Sequence, residues 1–129
     1  MAKRSRGPVL SPSERADLRD LLGADRELTL ARIGSLTHDW DDIVESSALA
    51  GSDDEHDPEG SATAFEREHV QALLHQARKH LTDLETALER LDDGTYGVCE
   101  GCGGPIAVER LRARPAARTC IACASAVQH

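Results

Sequence analysis

Aromatic residues are almost absent from this chain, which has one Trp, one Tyr and one Phe among 129 residues. Globular domains of this length normally bury several aromatic side chains, so the composition argues against a thick, aromatic-rich core. Leucine and alanine supply most of the apolar content, and that composition suits paired helices. The length is that of a single domain.

Long apolar runs are also missing. No stretch has the roughly 20 apolar residues that a transmembrane helix needs, so we expect no contact with a membrane. The first ten residues, MAKRSRGPVL, carry charges but lack the apolar segment of a secretory signal. These absences predict a cytoplasmic location, where thiols stay reduced and disulfides are disfavoured.

Four cysteines form two pairs, Cys99-x-x-Cys102 and Cys120-x-x-Cys123, with seventeen residues between the pairs. This spacing is typical of a four-thiolate zinc site, because each C-x-x-C turn directs two sulfurs at one metal ion. Two disulfides or a redox-active C-x-x-C are the alternatives, and a reducing cytosol disfavours the disulfides. We therefore predict one structural Zn2+ with all four cysteines as its ligands.

The sequence offers little for catalysis. A zinc ion with four cysteine ligands has no open coordination position for a substrate. Neither a nucleophile with a paired base nor a phosphate-binding loop is recognisable. The histidines on the second half of the chain do not recur at helical spacing, which argues against a second metal site. We predict that the protein is not an enzyme.

The net charge of −8 is concentrated in one part of the chain. Ten carboxylates and no Lys or Arg lie between Ile33 and Glu66, whereas the remainder has thirteen acids and fifteen bases. Such a block repels duplex DNA, so we expect no sequence-specific DNA binding. It would attract a basic channel, a metal ion or an arginine-rich surface of a partner.

Two long helices are predicted after a disordered lead at residues 1–10. Ser11, Pro12 and Glu14 have the pattern of a helix start, with Ser11 as N-cap, and the helix should extend from Pro12 to about Ala48. Apolar residues then recur three and four apart on one face. They are Leu18, Leu21, Leu22, Leu28, Ile33, Leu36, Trp40, Ile43 and Val44.

Residues 50–61 are dense in Gly, Ser, Asp and Pro and predict a break. A second helix should begin near Ser61 or Thr63 and end at Asp92-Asp93-Gly94. Its apolar residues keep a heptad spacing for three repeats. They are Val70, Leu74, Ala77, Leu81, Leu84, Leu88 and Leu91.

Neither helix can bury its apolar stripe alone, so we expect the two to pack antiparallel as a coiled-coil hairpin. Residues 11–93 form this hairpin, with an acidic tip at about 50–61, and residues 94–129 form a small zinc finger at its base. The fold class is therefore mainly α. A dimeric coiled coil made by the second helix alone is the alternative, but the first helix offers a matching stripe and favours a monomer. Trp40 should pack near the tip, against Phe65 or Val70.

A compound motif runs through the second half of the chain. It comprises Phe65-Glu66-Arg67-Glu68, Leu88-x-x-Leu91-x-x-Gly94-Thr95-Tyr96-Gly97-x-Cys99-x-x-Cys102-Gly103, Pro105-Ile106, Arg110-Leu111-x-Ala113-Arg114-Pro115 and Cys120-x-x-Cys123. On these residues the chain resembles the TraR/DksA family of bacterial C4-type zinc-finger proteins. The resemblance is close over about half of the chain and looser over the hairpin.

The resemblance implies a transcription regulator that binds RNA polymerase rather than a promoter sequence. In the family, the coiled coil enters the secondary channel of the polymerase and places acidic tip residues near the catalytic magnesium, which alters transcription initiation. The tip acids of this chain are Asp53, Asp54, Glu55, Asp57 and Glu59. A solvated acidic loop that only keeps the protein soluble is the alternative.

The tip departs from the Asp-x-x-Asp-x-Ala pattern of the better-known family members. An ungapped register from Phe65 places His56, Glu59 and Ser61 at the three positions, and a one-residue shift places Asp57, Gly60 and Ala62 there. Each register keeps one carboxylate, so we expect an electrostatic role for Glu59 or Asp57 without assuming the activity of those members.

Arginines in the finger have two interpretations. Guanidinium groups can offset the net −2 of a Zn2+ with four thiolates, or they can contact the polymerase rim or phosphates, for which Arg110 and Arg114 are the candidates. The resemblance implies that members responsive to guanosine tetraphosphate place basic residues where finger and coil meet. Arg114 fits this role, but Asp83 stands where a Lys would be expected, so we expect weak or absent alarmone binding.

Two other functions remain open at the level of the sequence. The protein could be a zinc-dependent adaptor or redox sensor without polymerase contact, which requires exposed thiolates of low pKa. It could also bind nucleic acid through the finger, with steep salt dependence. The scarcity of aromatic residues for base stacking disfavours the latter.

Overall fold

The computed structural model describes residues 10–50 and 58–127, with side chains described for 10–46 and 62–126. Four helices follow one another along the chain: α1 (Pro12–Ala50), α2 (Pro58–Asp93), α3 (Val108–Ala113) and α4 (Ile121–Val127). The two long helices pack together, and the four cysteines cluster near the C-terminus. The predicted mainly α fold with a C-terminal four-cysteine module is confirmed.

The start of α1 is fixed by a reciprocal pair of hydrogen bonds. The Glu14 amide donates to Ser11 Oγ at 3.0 Å, and the Ser11 amide donates to Glu14 Oε1 at 2.9 Å. Two backbone donors that the first turn leaves unpaired are thereby satisfied. Pro12 is the first helical residue, where its missing N–H costs nothing. The sequence predicted this start correctly.

The boundary between the long helices differs from the prediction. Helix α1 continues to Ala50, and α2 begins at Pro58, so residues 58–61 are helical rather than part of the predicted break. Proline is well suited to the first turn of a helix, because its missing N–H would have no partner there.

Two compact units make up the chain. The basal unit combines the chain up to Glu27 with the chain from Thr82 onward. Its core joins α1 and α2 to the cysteine module, because apolar residues from all of these segments are buried together. They are Leu18, Leu22, Leu84, Ala87, Leu91, Tyr96, Cys99, Ile106 and Leu111.

Polar contacts in the basal unit confirm that α1 and α2 are antiparallel there. Arg19 Nη1 lies 2.9 Å from Asp92 Oδ1, and Arg26 Nη2 lies 3.1 Å from Glu85 Oε2, so the partner number falls as the α1 number rises. These ion pairs are largely exposed and contribute little free energy. They indicate the register of the two helices, whereas the buried leucines stabilise the pairing.

The distal unit spans Leu28–Leu81 and has its own apolar cluster. Leu36 and Ile43 of α1 are buried with Val70, Leu74 and Ala77 of α2. Three partly buried side chains pack against this cluster; they are Ile33, Trp40 and Leu73. The expected packing of Trp40 near Val70 agrees with this cluster. The alternative partner was wrong, because 80% of the Phe65 surface is exposed.

One position of the α1 stripe was predicted incorrectly. Leu28 is 71% exposed, whereas its neighbour Thr29 is 5% exposed. Leu22, Thr29, Leu36 and Ile43 are spaced seven residues apart and are all buried, which is the period of a two-helix seam. Hydrophobicity alone selected Leu28, but the seam geometry requires position 29 on the buried face. Leu21 and Val44 are likewise partly exposed.

None of the helices in the described part of the chain combines the length and apolar character of a bilayer-spanning segment.

Replacement of Leu84 tests the leucine seam. Leu84 is fully buried, so Leu84→Ala should lower the free energy of unfolding by about 2–5 kcal/mol through lost burial and a residual cavity. Urea denaturation of the zinc-loaded protein, followed by circular dichroism, measures this change. Leu28→Ala is the matched control and should stay within about 0.5 kcal/mol of wild type. Equal losses in the two variants would contradict the observed seam.

Candidate metal centre

The first cysteine pair lies in a tight turn that begins soon after α2. The Cys99 amide donates to the Gly104 carbonyl at 2.8 Å, and the Gly103 amide donates to the Cys99 carbonyl at 2.9 Å. Gly103 has a φ of 75°, in the left-handed region that glycine adopts without strain. These contacts close a loop that brings Cys99 and Cys102 to the same side of the chain.

The second pair belongs to the start of α4. Cys120 precedes the helix, and its carbonyl accepts a hydrogen bond of 2.9 Å from the Ala124 amide in the first turn. Cys123 follows three residues later, on the same side of the helix as Cys120. Helical geometry therefore brings the second pair of sulfurs together, whereas a loop does so for the first pair.

The four thiols converge on one point. Their Sγ atoms all lie within 4.8 Å of one another, and Cys102 Sγ is 3.9 Å from Cys120 Sγ. Tetrahedral zinc with Zn–S bonds of about 2.3 Å separates its sulfurs by about 3.8 Å, so the thiols fit this ion. The segment between the pairs is thus long enough to close a single four-thiolate site.

A glycine lies close to the cysteine sulfurs, where there is little room for a side chain. A Cβ atom at Gly101 would lie 3.0 Å from Cys123 Sγ and 3.6 Å from Cys99 Sγ. Any larger residue at this position would therefore press on the Cys123 side chain and contact Cys99 Sγ. The requirement for glycine here is one of close approach, because the sulfurs of both pairs meet over its backbone.

Backbone amides polarise one thiol more than the others. Cys99 Sγ accepts hydrogen bonds from the Cys120 amide at 3.2 Å and from the Gly101 amide at 3.3 Å. In the metal-free protein these bonds lower the pKa of Cys99 to about 6, with that from Cys120 contributing most. Donation to Cys99 and its other sulfur neighbours raises the pKa of Cys123 to about 12. Binding of Zn2+ must therefore release protons, since thiolates are the ligands.

Burial of the thiols is uneven. Cys99 is 1% exposed and belongs to the basal core, whereas Cys102 is exposed and Cys120 and Cys123 are intermediate. The site is thus attached to the core on one side and open to solvent on the other. Four sulfur ligands leave no position for a substrate, which is typical of a structural zinc. In the described ranges, no other group of His, Cys, Asp or Glu lies close enough to hold a metal ion.

Tyr96 connects the start of the cysteine module to the loop that follows α3. The side chain is buried, and its hydroxyl donates to the Pro115 carbonyl at 2.8 Å. Burial raises the pKa of Tyr96 to about 12, so the phenol stays protonated and remains a donor. Ile106 and Leu111 are fully buried in the same cluster, and these few apolar residues are the module's own contribution to the core.

The finger arginines make mainly local contacts. Arg110 Nε donates to the Thr119 carbonyl at 2.9 Å, next to Cys120. Arg112 Nη1 lies 3.7 Å from Asp17, and Arg118 bonds to both Glu100 and Asp83. The Arg114 side chain is exposed. Local roles agree with these contacts, and partner contacts of Arg110 and Arg114 stay predictions.

The predicted tip acids lie outside the described residues. Asp53, Asp54, Glu55 and Asp57 fall within 51–57, and Glu59 belongs to α2 without a described side chain. Their proposed contact with a partner therefore stays a prediction.

Sequence reasoning missed two residues beside the metal site, Arg90 and Glu100. Arg90 is recognisable as a basic residue in the last turn of α2, where cations commonly bind free carbonyls. That signal could have pointed to its side chain, although the carbonyls it binds, those of Thr95 and Val98, lie after the helix. Nothing in the sequence pattern indicated that the Glu100 carboxylate would accept from two arginines, because its partners come from distant segments.

Removal of the metal tests the role of the four cysteines. A strong chelator should unfold the module from about residue 95 to 125, because its small apolar core cannot hold it without the ion. Hydrogen exchange resolved by mass spectrometry should show lost protection there and persistent protection around Leu74 and Ala77 of the distal unit. Unchanged protection of the module after verified zinc removal would contradict a structural metal.

The Tyr96 hydroxyl provides a finer test of the module. Tyr96→Phe keeps the ring but leaves the Pro115 carbonyl without its donor, so the free energy of unfolding should fall by about 1–2 kcal/mol. Chemical denaturation with zinc present measures the change. Thr63→Val, a substitution in the distal unit, is the control and should leave the hydrogen-exchange protection of the module unaltered. A neutral effect of Tyr96→Phe would contradict a stabilising role for this hydrogen bond.

Comparison with known proteins agrees with this geometry. Residues 94–129 match the model of the prokaryotic dksA/traR C4-type zinc finger. The protein YteA of Bacillus subtilis is 42% identical over 66 residues, which cover 51% of this chain and 28% of YteA. The RNA polymerase-binding transcription factor DksA of Escherichia coli is 44% identical over 46 residues, or 36% of this chain and 30% of DksA. The matches thus span about a third or less of these curated relatives.

A solved structure extends the similarity to the helices. Transcription factor DksA2 of Pseudomonas aeruginosa superposes with a TM-score of 0.74 and 28% identity. The match covers 92% of this chain and 85% of DksA2, so it includes the long helices as well as the cysteine module. The chain therefore carries a dksA/traR C4-type zinc finger at residues 94–129, and its fold is similar to that of DksA2 over most of its length.

Proposed function

We propose that this protein regulates transcription initiation by binding RNA polymerase, with the tip of the α1–α2 hairpin in the secondary channel. The observation that carries the proposal is the match to DksA2 over 92% of the chain, together with the finger shared with a DksA whose name states RNA polymerase binding. Because the similarity includes both long helices, it supports a common mode of action rather than a shared zinc module alone.

The charge of the distal unit supports this mode. Residues 28–81 contain eleven carboxylates and four Lys or Arg residues, so the unit carries a large part of the net charge. Asp39, Asp41, Asp42 and Glu45 of α1 are exposed in the described region. An acidic surface of this kind is attracted to a basic channel that contains divalent metal. The same charge would oppose insertion into nucleic acid.

The basal unit has a supporting role in the proposal. Within this unit, the start of α1 and the end of α2 pack against the cysteine module through a shared leucine core. Ion pairs join the two helices to each other. Arg110 and Arg118 bind groups of the finger itself, which leaves less positive charge for phosphate contacts. These local contacts favour a structural role for the zinc finger over nucleic-acid binding. The protein would act as a cytoplasmic monomer without enzymatic activity.

We assign the electrostatic role at the tip to Asp57 and Glu59. Both are acids of the segment that faces the channel in this proposal, and neither register reproduces the Asp-x-x-Asp-x-Ala pattern of the better-known family members. Charge, rather than a fixed pair of aspartates, is then the property that acts on the polymerase. The remaining tip acids, Asp53, Asp54 and Glu55, would contribute to the same field.

A polymerase pull-down combined with transcription in vitro tests the proposal. The wild-type protein should bind core RNA polymerase and change the lifetime of promoter complexes. The variant Asp57→Ala/Glu59→Ala should still bind through the hairpin but lose most of its effect on transcription. Competition with a second factor that occupies the secondary channel should displace the wild-type protein.

The matched control removes the same charge from the basal unit. Asp20 and Glu109 are exposed acids there, so Asp20→Ala/Glu109→Ala should behave like wild type in both assays. If neither wild type nor control binds polymerase, the proposal is wrong. If the tip variant retains full transcriptional activity, the acidic tip is not the acting element.

Guanosine tetraphosphate should bind this protein weakly or not at all in the junction between finger and coil. Asp83 Oδ1 accepts from Arg118 Nη1 at 3.2 Å, so this carboxylate occupies a cation that could otherwise bind phosphate. Equilibrium dialysis with labelled nucleotide, with and without polymerase, measures the affinity. Tight binding that is lost in Arg114→Gln would contradict this expectation.

A further inference from the structure

The Arg90 side chain makes four hydrogen bonds, and all of them reach residues of the loop that follows α2 and carries the first cysteine pair. Arg90 lies in the last turn of that helix, and its side chain is only 17% exposed. The guanidinium donates to Thr95 Oγ1 at 3.3 Å, to the Thr95 carbonyl at 3.0 Å and to the Val98 carbonyl at 2.9 Å. A fourth bond of 3.0 Å reaches Glu100 Oε2. One side chain therefore binds the chain on both sides of Cys99.

Glu100 extends these contacts to the second cysteine pair. The same Oε2 atom that accepts from Arg90 also accepts from Arg118 Nε at 3.0 Å. The Glu100 amide donates to the Arg118 carbonyl at 2.8 Å, so these two residues are connected through both backbone and side chain. Arg118 is two residues before Cys120. The carboxylate thus connects the end of α2 with the segments that carry both cysteine pairs.

The backbone at these contacts carries the amides that bind the most buried sulfur. Cys99 Sγ accepts from the Gly101 amide, next to Glu100, and from the Cys120 amide, close to Arg118. Displacement of Glu100 or Arg118 would therefore move the two donors that stabilise the Cys99 thiolate. Hydrogen bonds to a ligand atom fix its orientation and tune its metal affinity.

We propose that Arg90 is a positioning residue for the zinc site and that, through Glu100, it governs how fast the site releases zinc. The guanidinium fork holds the first cysteine turn in the geometry the metal needs, and the Glu100 carboxylate extends this hold to the second pair. Arginine is required because its rigid planar donors reach several acceptors at once, which an ammonium cannot do. The zinc site is in this way coupled to the last turn of α2.

Zinc release kinetics test the proposal. The zinc-loaded full-length protein is mixed with excess of a chromophoric chelator, and release is followed for wild type, Arg90→Gln and Arg90→Lys. Both variants should release zinc about tenfold faster or more, the size of effect that lost outer contacts have on metal sites. Wild-type release from Arg90→Lys would show that charge alone suffices and would overturn the positioning role.

Arg19→Gln is the matched control. Arg19 also forms an ion pair with the end of α2, at Asp92, in the same unit, but its described contacts do not include the cysteine turns. This variant should release zinc at the wild-type rate. Acceleration equal to that of Arg90→Gln would show a general loss of stability and would contradict the proposal.

A spectroscopic measurement separates positioning from stability. Co2+ in place of zinc gives visible bands that depend on the geometry of the four sulfurs, and these bands should shift in Arg90→Gln and Arg90→Lys but not in Arg19→Gln. If the Arg90 variants fail to fold, Glu100→Gln keeps the side-chain shape and weakens only the link between the two pairs. Faster zinc release from Glu100→Gln would support the proposal, whereas wild-type release and bands would overturn it.

Discussion

Convergence of four thiols on one metal position is the constraint on which the basal half of this protein depends. The module after α2 contributes few apolar residues, among them Ile106 and Leu111, so burial alone would not hold its loops. Binding free energy of a structural zinc is also folding free energy. Because Cys99 is itself part of the apolar core, formation of the metal site and packing against α1 and α2 are one process.

The two long helices also pack together with few large side chains. Each unit has its own cluster, built mainly from aliphatic side chains. The basal cluster adds Tyr96 and Cys99, and Trp40 is the one aromatic residue that packs against the distal cluster among the described residues. A seven-residue period keeps both helices in contact without large side chains. Most of the described side chains of both helices are exposed to solvent, where their charge determines which partners they attract.

The acidic block and the cysteine site of this chain are formed by different residues. The four cysteines and the arginines near them belong to the basal unit, whereas the acidic block begins only in the distal unit. The residues that the proposed function uses are thus different from those that form the cysteine site.

Local chemistry made much of this protein predictable from sequence. The capping box at Ser11, the heptad leucines of α2 and the spacing of the cysteines each depend on neighbours within a few turns, so pattern alone was sufficient. Tertiary structure decided which residues meet across segments: it buried Thr29 in place of Leu28 because the seam repeats every seven residues. It likewise placed Arg90 and Glu100 beside the metal site, since contacts between remote segments depend on the folded path of the chain and leave no period in the sequence.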